Sequence, residues 1–300
     1  MYIKLVLVIC TASVLGSVNG DYFTPSAEVG RRVAKFDPKV SRGYPFELGL
    51  GIYYQGDIML APTEKTRVSV SERYASRFWP GGRVPYEILG SFDEAQLKTI
   101  QEGMDMYKEH TCIRFVPKTD ADTSWIKFLN NDTGCYSYVG RQRNNQYNLI
   151  NLQTPTCLYA VGPPVHEMMH AIGFYHEFTR PDRDDWISLN KSALVDELQE
   201  ESDFNANFGK LDPNEVDLYG IAYNYGSVMH YSKYAGARSA DYPVMNNKKP
   251  WDGDFGNEKG FAASDIESIN IRYKCSKKKK SAGGKQKKQK LNKLKASKSE

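Results

Sequence analysis

Cysteine is scarce in this chain: five residues in 300, at positions 10, 112, 135, 157 and 275, with no two in a C-x-x-C pair. The missing pairs argue against a thiolate metal site. Long apolar runs are missing too. The single run of note, Leu5 to Val18, follows Lys4 and leads to the small residues of Val18-Asn19-Gly20. It is too short to span a bilayer comfortably and has the layout of a secretory signal peptide, residues 1–20, so the chain is expected to be secreted. No later stretch is apolar enough for a membrane span. No internal repeat is visible, which excludes a solenoid or a module array. Cys10 leaves with the signal peptide. The other four cysteines, in an oxidising compartment, imply two disulfides, and spacing leaves all three pairings open.

The chain's net charge of +4 hides an imbalance. Residues 276–300 hold eleven lysines and one glutamate, a charge of +10, so residues 1–275 carry −6. The tail reads as a disordered, solvated charge run, with contact to a polyanion such as a sulfated glycan as its functional reading. Behind a signal peptide it is not a nuclear signal, and nucleic acid is not an expected partner.

Histidine is as scarce as cysteine, yet three of the five lie in His166-Glu167-Met168-Met169-His170-Ala171-Ile172-Gly173-Phe174-Tyr175-His176. On a helix, positions i and i+4 share a face, so His166 and His170 can present two imidazoles to one metal ion. Glu167 can reach a water on that metal and act as general base. Gly173 permits a positive φ, so the helix can stop and the chain can bring His176 round as third ligand. Three imidazoles leave zinc one position for water, the arrangement of a catalytic site. A bare H-E-x-x-H also arises on ordinary amphipathic helices; the added glycine and third histidine set this one apart.

Further on, Ser227-Val228-Met229-His230-Tyr231 supplies a methionine turn of the metzincin kind. The motif continues through Glu177-Phe178-Thr179-Arg180-Pro181-Asp182-Arg183. With Trp79-Pro80-Gly81-Gly82, Val84-Pro85-Tyr86, Thr111 to Pro117 and Gly134 to Gly140, the chain from about residue 70 to Cys275 resembles the astacin family of zinc endopeptidases. The resemblance implies one zinc per chain, peptide or protein substrates, and an α+β fold. That fold has a twisted, mostly parallel N-terminal sheet with two long helices and an irregular C-terminal subdomain with a terminal helix. The active-site cleft lies between the two. It further implies disulfides Cys112–Cys275 and Cys135–Cys157, oxyanion stabilisation by Tyr231, packing support from Met229, and a Glu177 that receives the N-terminus of the trimmed enzyme. Cys135 to Gly140 resembles the edge strand to which extended peptides add by backbone hydrogen bonds. No cysteine-rich module follows, unlike tolloid-like and meprin-like members. His110 and His230 need no role beyond structure.

Residues 21–69, with Pro25, Pro38, Pro45 and Pro62, do not read as a compact domain and are assigned as a propeptide. Within them, Tyr54-Gln55-Gly56-Asp57 resembles the family's Phe-x-Gly-Asp motif, with tyrosine for phenylalanine. The motif implies that Asp57 takes the water's place on the metal. A carboxylate suits that place, and Gly56 lets the backbone come close. The catalytic domain, residues 70–275, reads as mixed α and β. Strands are expected at Arg83–Leu89, Ile113–Val116, Ser124–Leu129 and Leu149–Leu152. A capping box at Ser91-Phe92-Asp93-Glu94 opens a helix that ends near His110, with Leu97, Ile100, Met104 and Tyr107 on its apolar face. Pro163 and Pro164 suit the first turn of the metal-binding helix. Ser264–Tyr273 has helical spacing. Asn131-Asp132-Thr133 and Asn190-Lys191-Ser192 are sequons that permit a glycan.

Overall fold

The computed structural model describes residues 22–61, 77–214 and 216–276. The expected signal peptide, the expected junction between propeptide and catalytic domain, and all of the tail but Ser276 lie outside the described residues.

Six strands form the main sheet: β1 (Ile58–Met59), β2 (Arg83–Ile88), β3 (Arg114–Pro117), β4 (Ile126–Leu129), β5 (Cys135–Tyr138) and β6 (Leu149–Leu152), in the order β1-β5-β6-β4-β2-β3. Every neighbouring pair is parallel except β5 with β6. The helix α2 (Glu94–His110) connects β2 to β3, as a parallel pair requires. Its cap is Asp93, not Ser91: Asp93 accepts the Gln96 N–H at 2.8 Å and Gln96 returns the bond at 3.0 Å. Ile100, Met104 and Tyr107 are buried as expected, while Leu97, in the first turn, is 40% exposed.

The metal-binding helix α3 (Gly162–Ala171) starts on its two prolines and is buried along its whole length. Tyr107 of α2 donates its phenol to Val165 O at 2.8 Å, and Trp79 donates to Ala171 O at 2.9 Å, satisfying a carbonyl at the end of α3. The second half holds α4 (Glu201–Phe208), a two-stranded antiparallel sheet of β7 (Ile187–Leu189) and β8 (Met245–Asn247), and α5 (Ala263–Arg272). The disulfide Cys112–Cys275 ties the end of the second half to the first, and Cys135–Cys157 joins β5 to the segment before α3.

The segment before the catalytic domain has no core of its own, as its sequence implies, but it is more ordered than the prolines suggest. Ser26 caps a short helix, α1 (Ala27–Ala34), and Pro45–Gly49 forms a single 3-10 turn. Val29, Val33, Phe46, Leu50 and Tyr53 are buried in the same core as the catalytic half. Each such side chain stabilises the docked segment by ~1.5–3 kcal/mol before ordering entropy is counted. Gly30 is required by this docking: a Cβ there would meet Asp132 O at 1.9 Å. Among the described residues no helix is long and apolar enough to cross a membrane.

Candidate metal centre

α3 places His166 and His170 one turn apart. Gly173, at φ 106°, ends the helix, and its N–H donates to His170 O at 2.7 Å. The chain then returns with His176. The three Nε2 atoms lie 3.1, 3.2 and 3.3 Å from one another, and all three residues are buried. Asp57 closes the cluster: its Oδ2 is 2.8 Å from His166 Nε2, and its Oδ1 is 3.1 Å from His176 Nε2 and 3.3 Å from His170 Nε2.

The donor set fits a metal ion. His166 Nδ1 donates to Val228 O at 2.6 Å, and His170 Nδ1 donates to Phe174 O at 2.7 Å. Carbonyls only accept, so both protons sit on Nδ1 and both Nε2 lone pairs are bare. His176 Nδ1 faces Gln55 Oε1 at 2.9 Å in the same way. Burial pushes His166 below its ordinary pKa and His176 down to about 3, which keeps the rings neutral. Three lone pairs and a carboxylate therefore converge on one point, and Asp57 Oδ1 has no hydrogen-bond partner among the described residues. A cation satisfies such a group.

Glu167 is fully buried, and neither of its oxygens has a partner among the described residues. Burial, with the charge of Asp57 behind it, pushes its carboxyl well above the usual carboxylate range. Tyr231 is also fully buried and donates its phenol to Gln55 O at 2.6 Å. Gly56, at φ 98°, makes that approach possible, because a Cβ would sit 2.6 Å from the phenol oxygen. Met229 is buried with its side chain in the main hydrophobic core, and its carbonyl accepts the Glu177 N–H at 2.9 Å, tying the turn to the segment after His176. Glu177 itself accepts from Arg180 at 3.1 Å and from Asn224 N at 2.9 Å; burial raises it to about 7 although Arg180 opposes the rise. His230 is spoken for at both nitrogens, by Tyr223 at 2.6 Å and Tyr231 O at 2.7 Å, and lies outside the metal cluster. The four cysteines pair as the resemblance implies, and both sequon asparagines, Asn131 and Asn190, are exposed.

The edge of β5 is occupied by the chain itself. β1 pairs with it in parallel, Ile58 opposite Ser137 and Met59 opposite Tyr138. Ser137 N–H also donates to Asp57 O at 3.0 Å. Four residues at the site carried no sequence signal of their own. Phe46 stacks on His166 and Glu47 accepts from Ser232. Gln55 sits inside a motif whose second position is free. Asp265 binds Ser227 Oγ at 2.6 Å and Val228 N at 3.0 Å, yet in sequence it is an ordinary first-turn acid of α5.

The astacin (peptidase family M12A) profile matches residues 71–274, and the chain belongs to this family of zinc metalloendopeptidases. Among its relatives, zinc metalloproteinase nas-14 of Caenorhabditis elegans is 36% identical over 203 residues, 67% of this chain and 38% of the relative. Bone morphogenetic protein 1 of Xenopus laevis is 34% identical over 221 residues, 71% of this chain and 30% of the relative. The chain thus spans well under half the length of these two relatives. The solved structure of high choriolytic enzyme 1, a hatching-enzyme zinc protease of Oryzias latipes (medaka), superposes with a TM-score of 0.60. It is 28% identical and covers 69% of this chain and 100% of that one. The α+β fold with its mostly parallel sheet is that of the family, and the metal is zinc.

Proposed function

We propose that this chain is a secreted endopeptidase made as a zymogen. Its trimmed form hydrolyses peptide bonds in extracellular proteins. The observation that carries the reading is the convergence of three bare imidazole lone pairs beside an unpartnered, buried Glu167. His166, His170 and His176 hold the zinc, which supplies Lewis acidity to a water and to the substrate carbonyl. Glu167 takes the proton of the attacking water and delivers it to the leaving amine. Tyr231, freed from Gln55, donates its phenol to the developing oxyanion. An extended substrate takes the edge of β5 that β1 covers in the precursor.

Residues 21–69 are the propeptide in this reading. Asp57 occupies the water's position, β1 blocks the edge strand, and a cut near residues 67–70 releases both; Arg67 offers a trypsin-type bond. Glu177, already buried and paired with Arg180, then receives the new N-terminus. Asn131 and Asn190 carry glycans, and the lysine tail holds the enzyme to sulfated glycans.

The test is casein hydrolysis by trimmed protein, with and without a zinc chelator. Hydrolysis that the chelator abolishes is expected; an inert trimmed protein that still holds zinc would make the chain a binding protein on a peptidase scaffold. Full-length Asp57→Ala should leak activity before cleavage, and a silent, zinc-loaded variant would reduce the propeptide to a steric plug. Heparin retention that drops on deletion of residues 276–300 and falls with salt supports the tail's role, and equal retention refutes it.

A further inference from the structure

Each metal-binding imidazole needs an acceptor at Nδ1 to fix its tautomer and its aim. His166 and His170 find theirs inside the catalytic domain, at Val228 O and Phe174 O. His176 does not. Its acceptor is Gln55 Oε1, 121 positions upstream, in the segment read above as a propeptide.

The Gln55 side chain makes that bond in a buried setting. It is 1% exposed, and its amide nitrogen has no acceptor among the described residues, so the bond to His176 is what its buried amide gains. Its backbone is left-handed, at φ 52°, a conformation that non-glycine residues rarely adopt. Its N–H is fixed on Ala206 O at 3.2 Å, and its carbonyl accepts the Tyr231 phenol at 2.6 Å. One residue therefore contacts the third metal ligand through its side chain and the candidate oxyanion donor through its main chain.

We propose that Gln55 is a positioning residue of the precursor's metal centre: its side chain aims His176 at the zinc while its carbonyl holds the Tyr231 phenol. The propeptide on this view finishes the metal site as well as capping it. The proposal rests on the zymogen reading, and it separates Gln55 from the ligand Asp57. Once the segment leaves, His166 and His170 keep their acceptors and His176 loses its own. The trimmed enzyme is then expected to release zinc faster than the loss of one carboxylate ligand explains.

The experiment uses the full-length precursor loaded with zinc, and follows zinc release to a chromogenic chelator, 4-(2-pyridylazo)resorcinol. Gln55→Leu keeps the unbranched Cβ, and with it the left-handed turn and the carbonyl on Tyr231, but removes the acceptor. Zinc release should accelerate about 10- to 100-fold. Gln55→Asn, one methylene short of His176, should behave like Gln55→Leu. Gln55→Glu restores an acceptor and should stay within a few fold of wild type. The cobalt-substituted precursor should show the same grouping in its visible spectrum, shifted for Leu and Asn and unshifted for Glu. Wild-type release from Gln55→Leu beside fast release from Asp57→Ala would overturn the role of Gln55 and leave the zymogen reading standing. Equal acceleration in the Leu and Glu variants would overturn it too, since the acceptor would then not be what matters. Wild-type release from Asp57→Ala and from trimmed enzyme alike would instead remove the zymogen reading on which the proposal rests.

Discussion

The ring of Phe46 lies flat on the imidazole of His166, with centroids 4.0 Å apart and 13° between the planes. A residue of the segment before the catalytic domain thus packs directly on a metal ligand, and the same ring meets Tyr231 at 5.6 Å. Phe46 is a main anchor of that segment because it is large, fully buried and stacked.

Phe46→Ala should therefore loosen the segment while leaving all four residues of the metal cluster in place. A buried Phe→Ala change costs roughly 3–5 kcal/mol, so the dissociation constant of a severed propeptide from the trimmed domain should rise at least ~10²-fold. Fluorescence anisotropy with a labelled peptide of residues 21–69 reads this directly. An unchanged constant would mean the stack contributes nothing to docking.

Glu47 makes the same docking sensitive to pH. Its carboxylate accepts Ser232 N at 2.5 Å and Ser232 Oγ at 2.9 Å, but burial outweighs these bonds and raises it to about 8. In the released segment it titrates near 4.5. The docked state thus holds a proton that the free segment lacks between those values. Docking through this group is strongest at low pH and weakens as pH rises toward 8. Between pH 5 and 8 the wild-type dissociation constant should climb more steeply than that of Glu47→Gln, by up to about tenfold per pH unit. Parallel pH profiles of the two proteins would contradict this.

Much of the site is legible in the sequence because it is local. His166, Glu167 and His170 share one turn of helix, Gly173 marks its end, and His176 follows within a few residues. Alternation around Val84, Tyr86 and Ile88 and the apolar spacing of Ile100, Met104 and Tyr107 likewise describe β2 and α2 from within. The capping box was displaced by two positions because Ser91 and Asp93 both have capping side chains, and only the packing of α2 chooses between them. α1 was missed because it offers just Val29 and Val33 as an apolar pair among charges, and its burial comes from a distant surface, the 131–134 segment. Phe46, Glu47, Gln55 and Asp265 share that property. Each acts on a residue more than thirty positions away, and no periodicity encodes such contacts.

Asp265 shows how far the support reaches. It accepts the Ser227 hydroxyl and the N–H groups of Val228 and Ala262, and Val228 in turn holds His166 through its carbonyl. Asp265→Asn cannot accept at both oxygens, so at least one buried donor loses its partner, at a cost of about 1–3 kcal/mol. Tm should fall by several degrees, and zinc affinity should fall with it, by up to about tenfold, as the hold on His166 loosens. Differential scanning calorimetry and zinc titration on the same protein check both; a lower Tm with unchanged zinc affinity would confine Asp265 to stability.

The most direct test is the fate of Glu167. Zinc content and turnover of a short peptide should be measured on one trimmed preparation each of wild type and Glu167→Gln. The carboxamide keeps the size of the side chain and leaves the three histidine ligands unchanged, but it cannot accept a proton. The expected result is about one zinc per chain in both proteins, with turnover at least ~10²-fold lower in the variant. Turnover within a few fold of wild type at full zinc occupancy would contradict Glu167 as the base that activates water.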